Sequence, residues 1–229
     1  MVIFSCLTDY APLRFSPAGT VSHQSGNLIF SHRFHLTRTK ASCQDCHAKI
    51  RDSTLAMDSN LPVEKDCRKC HNGMQARSEC SVCHRHPEKV LRQEIPARSL
   101  RFNHQLHLGL GNLAPVIAAA IDEGNYLSPP QDIRDHLNGE NPCVACHRGL
   151  AEADLAGSVN LPQMADCLVC HAEIAPPFSC ELCHTKDATI KPASHTSDYL
   201  DLHNSGKVKL DKLSCKICHG IGFRCMGCH

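Results

Sequence analysis

Eight times the chain sets two cysteines three positions apart with a histidine directly behind the second. The copies are Cys43, Cys46 and His47; Cys67, Cys70 and His71; Cys80, Cys83 and His84; Cys143, Cys146 and His147; Cys167, Cys170 and His171; Cys180, Cys183 and His184; Cys215, Cys218 and His219; and Cys225, Cys228 and His229. Thiols at i and i+3 leave one face of a short helix. Both can therefore close thioether bonds along one porphyrin edge while the following imidazole turns beneath the iron. This is the attachment signature of c-type haem, and eight copies imply eight covalently bound haems. Zinc sites also use Cys-x-x-Cys pairs, but they need no histidine after every second cysteine, and a disulfide scaffold needs none at all. Eight such followers arise by chance with a probability on the order of 10^-9. Sixteen of the 17 cysteines are consumed, which leaves Cys6.

Each motif supplies one axial ligand, so the chemistry depends on the other side of each iron. Nine histidines remain: His23, His32, His35, His86, His104, His107, His136, His195 and His203. They suffice for eight vacancies, whereas the five methionines show no repeated placement and read as packing residues. His32 with His35, and His104 with His107, stand in the pattern Phe-x-His-x-x-His. At i and i+3 of a helix both imidazoles leave one side, so adjacent haems can each take one; in a strand the odd spacing would send them to opposite faces. His136, His195 and His203 join the distal set by counting. His23 and His86 compete for the last vacancy. His86 lies two residues past His84 and just ahead of Pro87, so it could serve only a different haem, which favours His23.

The elements that carry these residues are repeated. Leu55-Ala56, Asn60-Leu61-Pro62 and Asp66-Cys67 recur 100 positions later as Leu155-Ala156, Asn160-Leu161-Pro162 and Asp166-Cys167, and the motifs at Cys43, Cys67 and Cys80 recur at Cys143, Cys167 and Cys180. Such self-similarity means one structural unit used more than once. The Phe-x-His-x-x-His segments are offset by only 72, so the second unit carries an insertion near 109–134, read as a helix and loop on the module surface. The expected organisation is an N-terminal arm or signal remnant over 1–22, a three-haem module over 23–100, a second over 101–187 and a two-haem module over 188–229. Short helices should sit at the motifs and the His pairs, joined by loops rich in Pro, Gly, Asn and Asp. Alternating strand patterns are nearly absent.

Composition bounds the rest. About 29 residues per haem is far below what a domain with its own core requires, so haems must share walls. With no Trp, three Tyr and seven Phe, the porphyrins must supply much of the buried apolar surface. The formal charge of +1 and the lack of a basic run argue against nucleic acid. Two propionates per haem would move the net charge to about −7 oxidised and about −15 reduced if all ionise. Charge is unevenly placed, +5 over 1–100, −7 over 101–200 and +3 over 201–229. No run approaches the roughly 20 apolar residues of a membrane-spanning helix. Haem attachment to such motifs resembles a process performed outside the cytoplasm, so an export signal is expected. Residues 2–6 look like the end of a lipoprotein signal, with Cys6 as a lipid anchor.

The Phe-x-His-x-x-His segment followed by three closely spaced motifs resembles the small three- and four-haem periplasmic cytochromes of sulfur- and metal-reducing bacteria. The resemblance covers both complete modules and, less well, the tail. It implies a multihaem cytochrome c fold, mostly coil with short α-helices, organised around covalent haem with little or no β-sheet. It also implies that His32 serves the haem on Cys43 and Cys46, and His35 the one on Cys80 and Cys83. His104 and His107 map likewise onto Cys143/Cys146 and Cys180/Cys183. One departure stands out: the family commonly has a further His ahead of its later motifs, and segments 48–66 and 148–166 have none, leaving the haems on Cys67/Cys70 and Cys167/Cys170 without an assigned distal ligand. By haem count and length the chain resembles the periplasm-facing subunit of porin-cytochrome conduits. Partners would then be periplasmic cytochromes and an outer-membrane porin-cytochrome complex, with location in the periplasm, at the outer membrane or outside the cell. Two strong imidazole ligands leave no open position on an iron, which favours electron transfer over catalysis. The rivals are a multihaem reductase, which needs one open haem, and an extracellular cytochrome filament.

Overall fold

The computed structural model describes residues 27–88, 99–128, 130, 133–171, 180–190, 195–199, 201, 205 and 217. His23, His203 and the last two motifs, including His219 and His229, lie outside these residues, as does Cys6. Among the described residues the chain is mostly coil with short helices and no strand, as the sequence implies. No helix among them is long and apolar enough to cross a membrane.

Among the described motifs an α-helix spans the whole cysteine pair only at Cys43 and Cys80; at Cys67 and Cys167 it ends at or just past the first cysteine, and at Cys143 and Cys180 the turn is 3-10. In chain order the α-helices are α1 (His32–Thr37), α2 (Cys43–Cys46), α3 (Glu64–Cys67), α4 (Cys80–Cys83), α5 (His104–Gly109), α6 (Ala114–Asp122) and α7 (Met164–Leu168). The two His-pair helices start alike. Ser31 Oγ accepts from Phe34 N–H (3.1 Å) and Asn103 Oδ1 from Leu106 N–H (2.8 Å), each satisfying a donor that the helix leaves unpaired. Three motif helices use an aspartate instead: the carboxylates of Asp45, Asp66 and Asp166 accept from the backbone N–H of Ser42, Val63 and Gln163 at 2.7, 3.1 and 2.7 Å. Each aspartate directly precedes a haem-motif cysteine, so the residue that starts the helix also fixes where the thiol leaves it.

Each module closes by pairing the residues ahead of its His pair with its third motif. Leu28 bridges His84 and Leu100 bridges His184, flanked by Ile29 N–H to Cys83 O and Arg101 N–H to Cys183 O, both 2.6 Å.

The insertion forms the helix the sequence was read to predict, with one face exposed, but its other face is buried rather than lying on the surface. Ala114, Ile117 and Ala118 of α6, with Tyr126, Ile133 and Leu137, form a buried cluster against Ala145 and Ala165, which sit within and just ahead of two haem motifs. Burying Ile117 and Leu137 contributes about 1.5–3 kcal/mol each. Apart from Ala56 this is the whole buried apolar set among the described residues, and no large side chain there is fully buried. The physical reason is supply: among the described residues the inserted segment is rich enough in aliphatic residues to bury a face without a porphyrin.

Candidate haem sites

The histidines are oriented before any iron is considered. His47 and His147 donate Nδ1–H to the carbonyls of Asn60 (2.7 Å) and Asn160 (3.1 Å), and His71 donates to Arg77 O (2.8 Å). On the opposite side His35 donates to Ser31 O and His107 to Asn103 O, both at 2.8 Å. A ring whose Nδ1–H is held by a carbonyl presents Nε2 to a metal, and the bond raises its donor strength.

Phenylalanines separate the paired histidines. Phe30 stacks on His35 (centroids 4.7 Å, planes 16° apart) and meets His32 edge-on (4.8 Å, 87°). Phe102 does the same with His107 (4.3 Å, 24°) and His104 (4.8 Å, 82°). The two rings of each pair are thereby aimed at different places.

His35 faces His71 with centroids 6.3 Å apart, and His107 faces His171 at the same 6.3 Å. Metal–imidazole bonds are about 2.0–2.1 Å, and with about 1.1 Å from nitrogen to ring centre a shared metal needs about 6 Å between centroids. The residues therefore fit an iron held between two imidazoles. This differs from the expectation that His35 and His107 serve the haems on Cys80/Cys83 and Cys180/Cys183: the rings stand opposite the histidines of the middle motifs, which sequence reasoning had left without distal partners. The cause is local, since the carbonyl bonds to Ser31 and Asn103 tip these rings back along their helices.

His32 lies within electrostatic reach of His47, and its pKa is lowered mainly by burial. Its Nδ1–H meets Asp154 O at 3.2 Å. His104 Nδ1 lies 3.4 Å from Ser53 Oγ. His136 sits half-buried in the 3-10 turn Arg134–Asn138, which packs on α6 and on the turn Pro142–Ala145 that carries Cys143. His195 stacks on Tyr199 (4.9 Å, 16°). His86 Nδ1 faces Glu88 Oε1 at 3.4 Å. His84 Nδ1 is buried without a partner among the described residues, a group the polypeptide alone does not satisfy.

None of the twelve described motif cysteines is in a disulfide. Cys43 accepts from Asn141 Nδ2 (3.4 Å) and hydrogen-bonds the Cys143 thiol, which draws its pKa down to about 6. Partial burial raises the thiols of Cys46, Cys67, Cys83, Cys146 and Cys167, the opposite of the lowered pKa of a reactive nucleophile.

Sequence reasoning missed a buried network behind the second module. Asp166 accepts from Arg148 at 3.0 and 2.6 Å and from Tyr126 Oη at 2.8 Å, while Arg148 also donates to Ala145 O at 2.7 Å. Burial, then the Asp166 contact, holds the Tyr126 phenol well above its ordinary pKa. The recurrence of Asn60 and Asn160 was visible as a repeat; their carbonyl role was not, because any residue type supplies a carbonyl.

Residues 28–89 match the family model of cytochrome c7 and related cytochrome c. No curated protein and no solved structure shows a significant match to the chain. The family match supports a small multihaem c-type cytochrome with covalently bound haem c and a part in electron transfer.

Proposed function

We propose that the chain is an eight-haem electron conductor of bis-histidine sites, carrying electrons between the periplasm and the outer membrane or cell exterior. The observation that carries this reading is the facing imidazole pair, His35 with His71, repeated as His107 with His171 at the same separation. Haem iron held between two such rings supplies one-electron exchange between its ferric and ferrous states. The chain's own part would be to give the iron two imidazole ligands, leaving none to substrate, with His35, His71 and His107 fixed through their Nδ1 bonds. Strong imidazole donors favour the ferric state and low potentials.

By the same reading the sixteen motif cysteines hold the thioethers and the eight motif histidines are proximal ligands. His23, His32, His35, His104, His107, His136, His195 and His203 are distal, with His32 opposite His47 and His104 opposite His147. Partners are periplasmic cytochromes and an outer-membrane porin-cytochrome complex, with Cys6 as a lipid attachment point. The uneven charge along the chain supports oriented docking. Carbon monoxide added to the fully reduced protein tests the function. No spectral change is expected, and binding to even one haem would replace the conductor with a reductase.

A further inference from the structure

The two three-haem modules exchange one contact in both directions. Arg33 N–H of the first module donates to Ala153 O of the second at 2.8 Å, and Gln105 N–H of the second donates to Ser53 O of the first at 2.9 Å. Arg33 and Gln105 are equivalent by the offset of 72, and Ser53 and Ala153 by the offset of 100. The same bond is thus made twice, each time across the module boundary and each time next to the first histidine of a pair.

We propose that the modules position each other's first distal histidine: Asp154 O of the second accepts from His32 of the first, and Ser53 Oγ of the first accepts from His104 of the second. The proposal rests on the bis-histidine reading above. Ser53 suits the role. It is buried, its hydroxyl lies 3.3 Å from Leu55 O and accepts from Asn60 Nδ2 at 2.9 Å, and its remaining acceptor capacity meets His104 Nδ1 at 3.4 Å. Asp154 is gripped by the segment it serves, through Ser31 Oγ (2.5 Å), Arg33 Nη2 (3.2 Å) and His32 N–H (2.9 Å). The contact between Cys43 and Cys143, with Asn141 donating to Cys43, sets the two first sites back to back at this junction. Ser53 and Asp154 are positioning residues: an acceptor on Nδ1–H strengthens the imidazole as a donor and favours the ferric state. A carbonyl accepts better than a shared hydroxyl at 3.4 Å, so the Cys43/Cys46 haem is held at a lower potential than the Cys143/Cys146 haem.

The test is a redox titration of the intact holoprotein followed by NMR, with haem methyl signals assigned by site. Ser53→Ala should raise the midpoint of the haem on Cys143/Cys146, in the other module. Its oxidised-to-reduced ratio at fixed potential should change by up to about tenfold, about 59 mV for one electron. Ser53→Thr, which keeps the hydroxyl, should restore it. Arg33→Gln, which removes the guanidinium contacts that help hold Asp154, should move the haem on Cys43/Cys46. A Ser53→Ala shift confined to the Cys43/Cys46 haem, or none at Cys143/Cys146, overturns the inference. If Ser53→Ala loses haem by mass, Arg33→Gln decides: a shift confined to Cys43/Cys46 upholds the exchange, and no shift there overturns it. A high-spin signal in the unmodified protein would instead sink the bis-histidine reading itself, so the two failures are told apart.

Discussion

His35 and His107 carry the sharpest residue-level consequence. Their rings stand 6.3 Å from those of His71 and His171, so His35→Ala should open the haem on Cys67/Cys70 and leave the haem on Cys80/Cys83 six-coordinate. Paramagnetic NMR with assigned haem signals checks this, and a high-spin haem on Cys80/Cys83 would restore the pairing that the family resemblance implied. Covalent attachment was legible in the sequence because thioether chemistry fixes both residue type and spacing. The proximity of His35 to His71 and of His107 to His171 was not, because it depends on which backbone carbonyl takes each Nδ1–H, and a carbonyl leaves no trace in residue identity.

Among the elements, the short helices were legible from motif spacing and from Ser31 and Asn103 ahead of the His pairs. The role of α6 was not. Its length and alanines read as a surface helix, and only the fold shows Ile117 and Leu137 buried against Ala145 and Ala165. The Arg148–Asp166 pair completes that wall, with side chains 7% and 2% exposed. In the first module the equivalent of Arg148 is Ala48, and Asp66 pairs with the exposed Lys69 at 2.9 Å. Arg148→Ala should therefore strand a buried carboxylate and cost about 3–5 kcal/mol. Tyr126→Phe, which removes a donor from a buried carboxylate, should cost about 1.5–3 kcal/mol, and Lys69→Ala, at an exposed pair, should leave stability nearly unchanged. Denaturant unfolding of the three holoproteins, followed at the haem absorbance, compares these.

At the scale of the molecule, the described residues enclose little besides the α6 wall. Nine apolar residues are buried among those described, most of them small, so chain entropy is not offset by side-chain burial alone. Protein made without haem attachment should show little helix by circular dichroism and rapid proteolysis throughout; a folded, protease-resistant apoprotein would contradict this. The offset-100 duplication was legible in the sequence, and equivalent bonds recur from 60 to 160 and from 83 to 183. The cross-module exchange at Ser53 and Ala153 stayed hidden, because a repeat tells which residues correspond but not which copies touch.

The central claim is that both faces of every iron are closed by histidine. Low-temperature electron paramagnetic resonance of the fully oxidised protein, with spins counted against total haem, tests it most directly. Eight low-spin ferric haems and no high-spin signal are expected. A high-spin component amounting to one haem per chain would contradict the account and mark a site where substrate can bind.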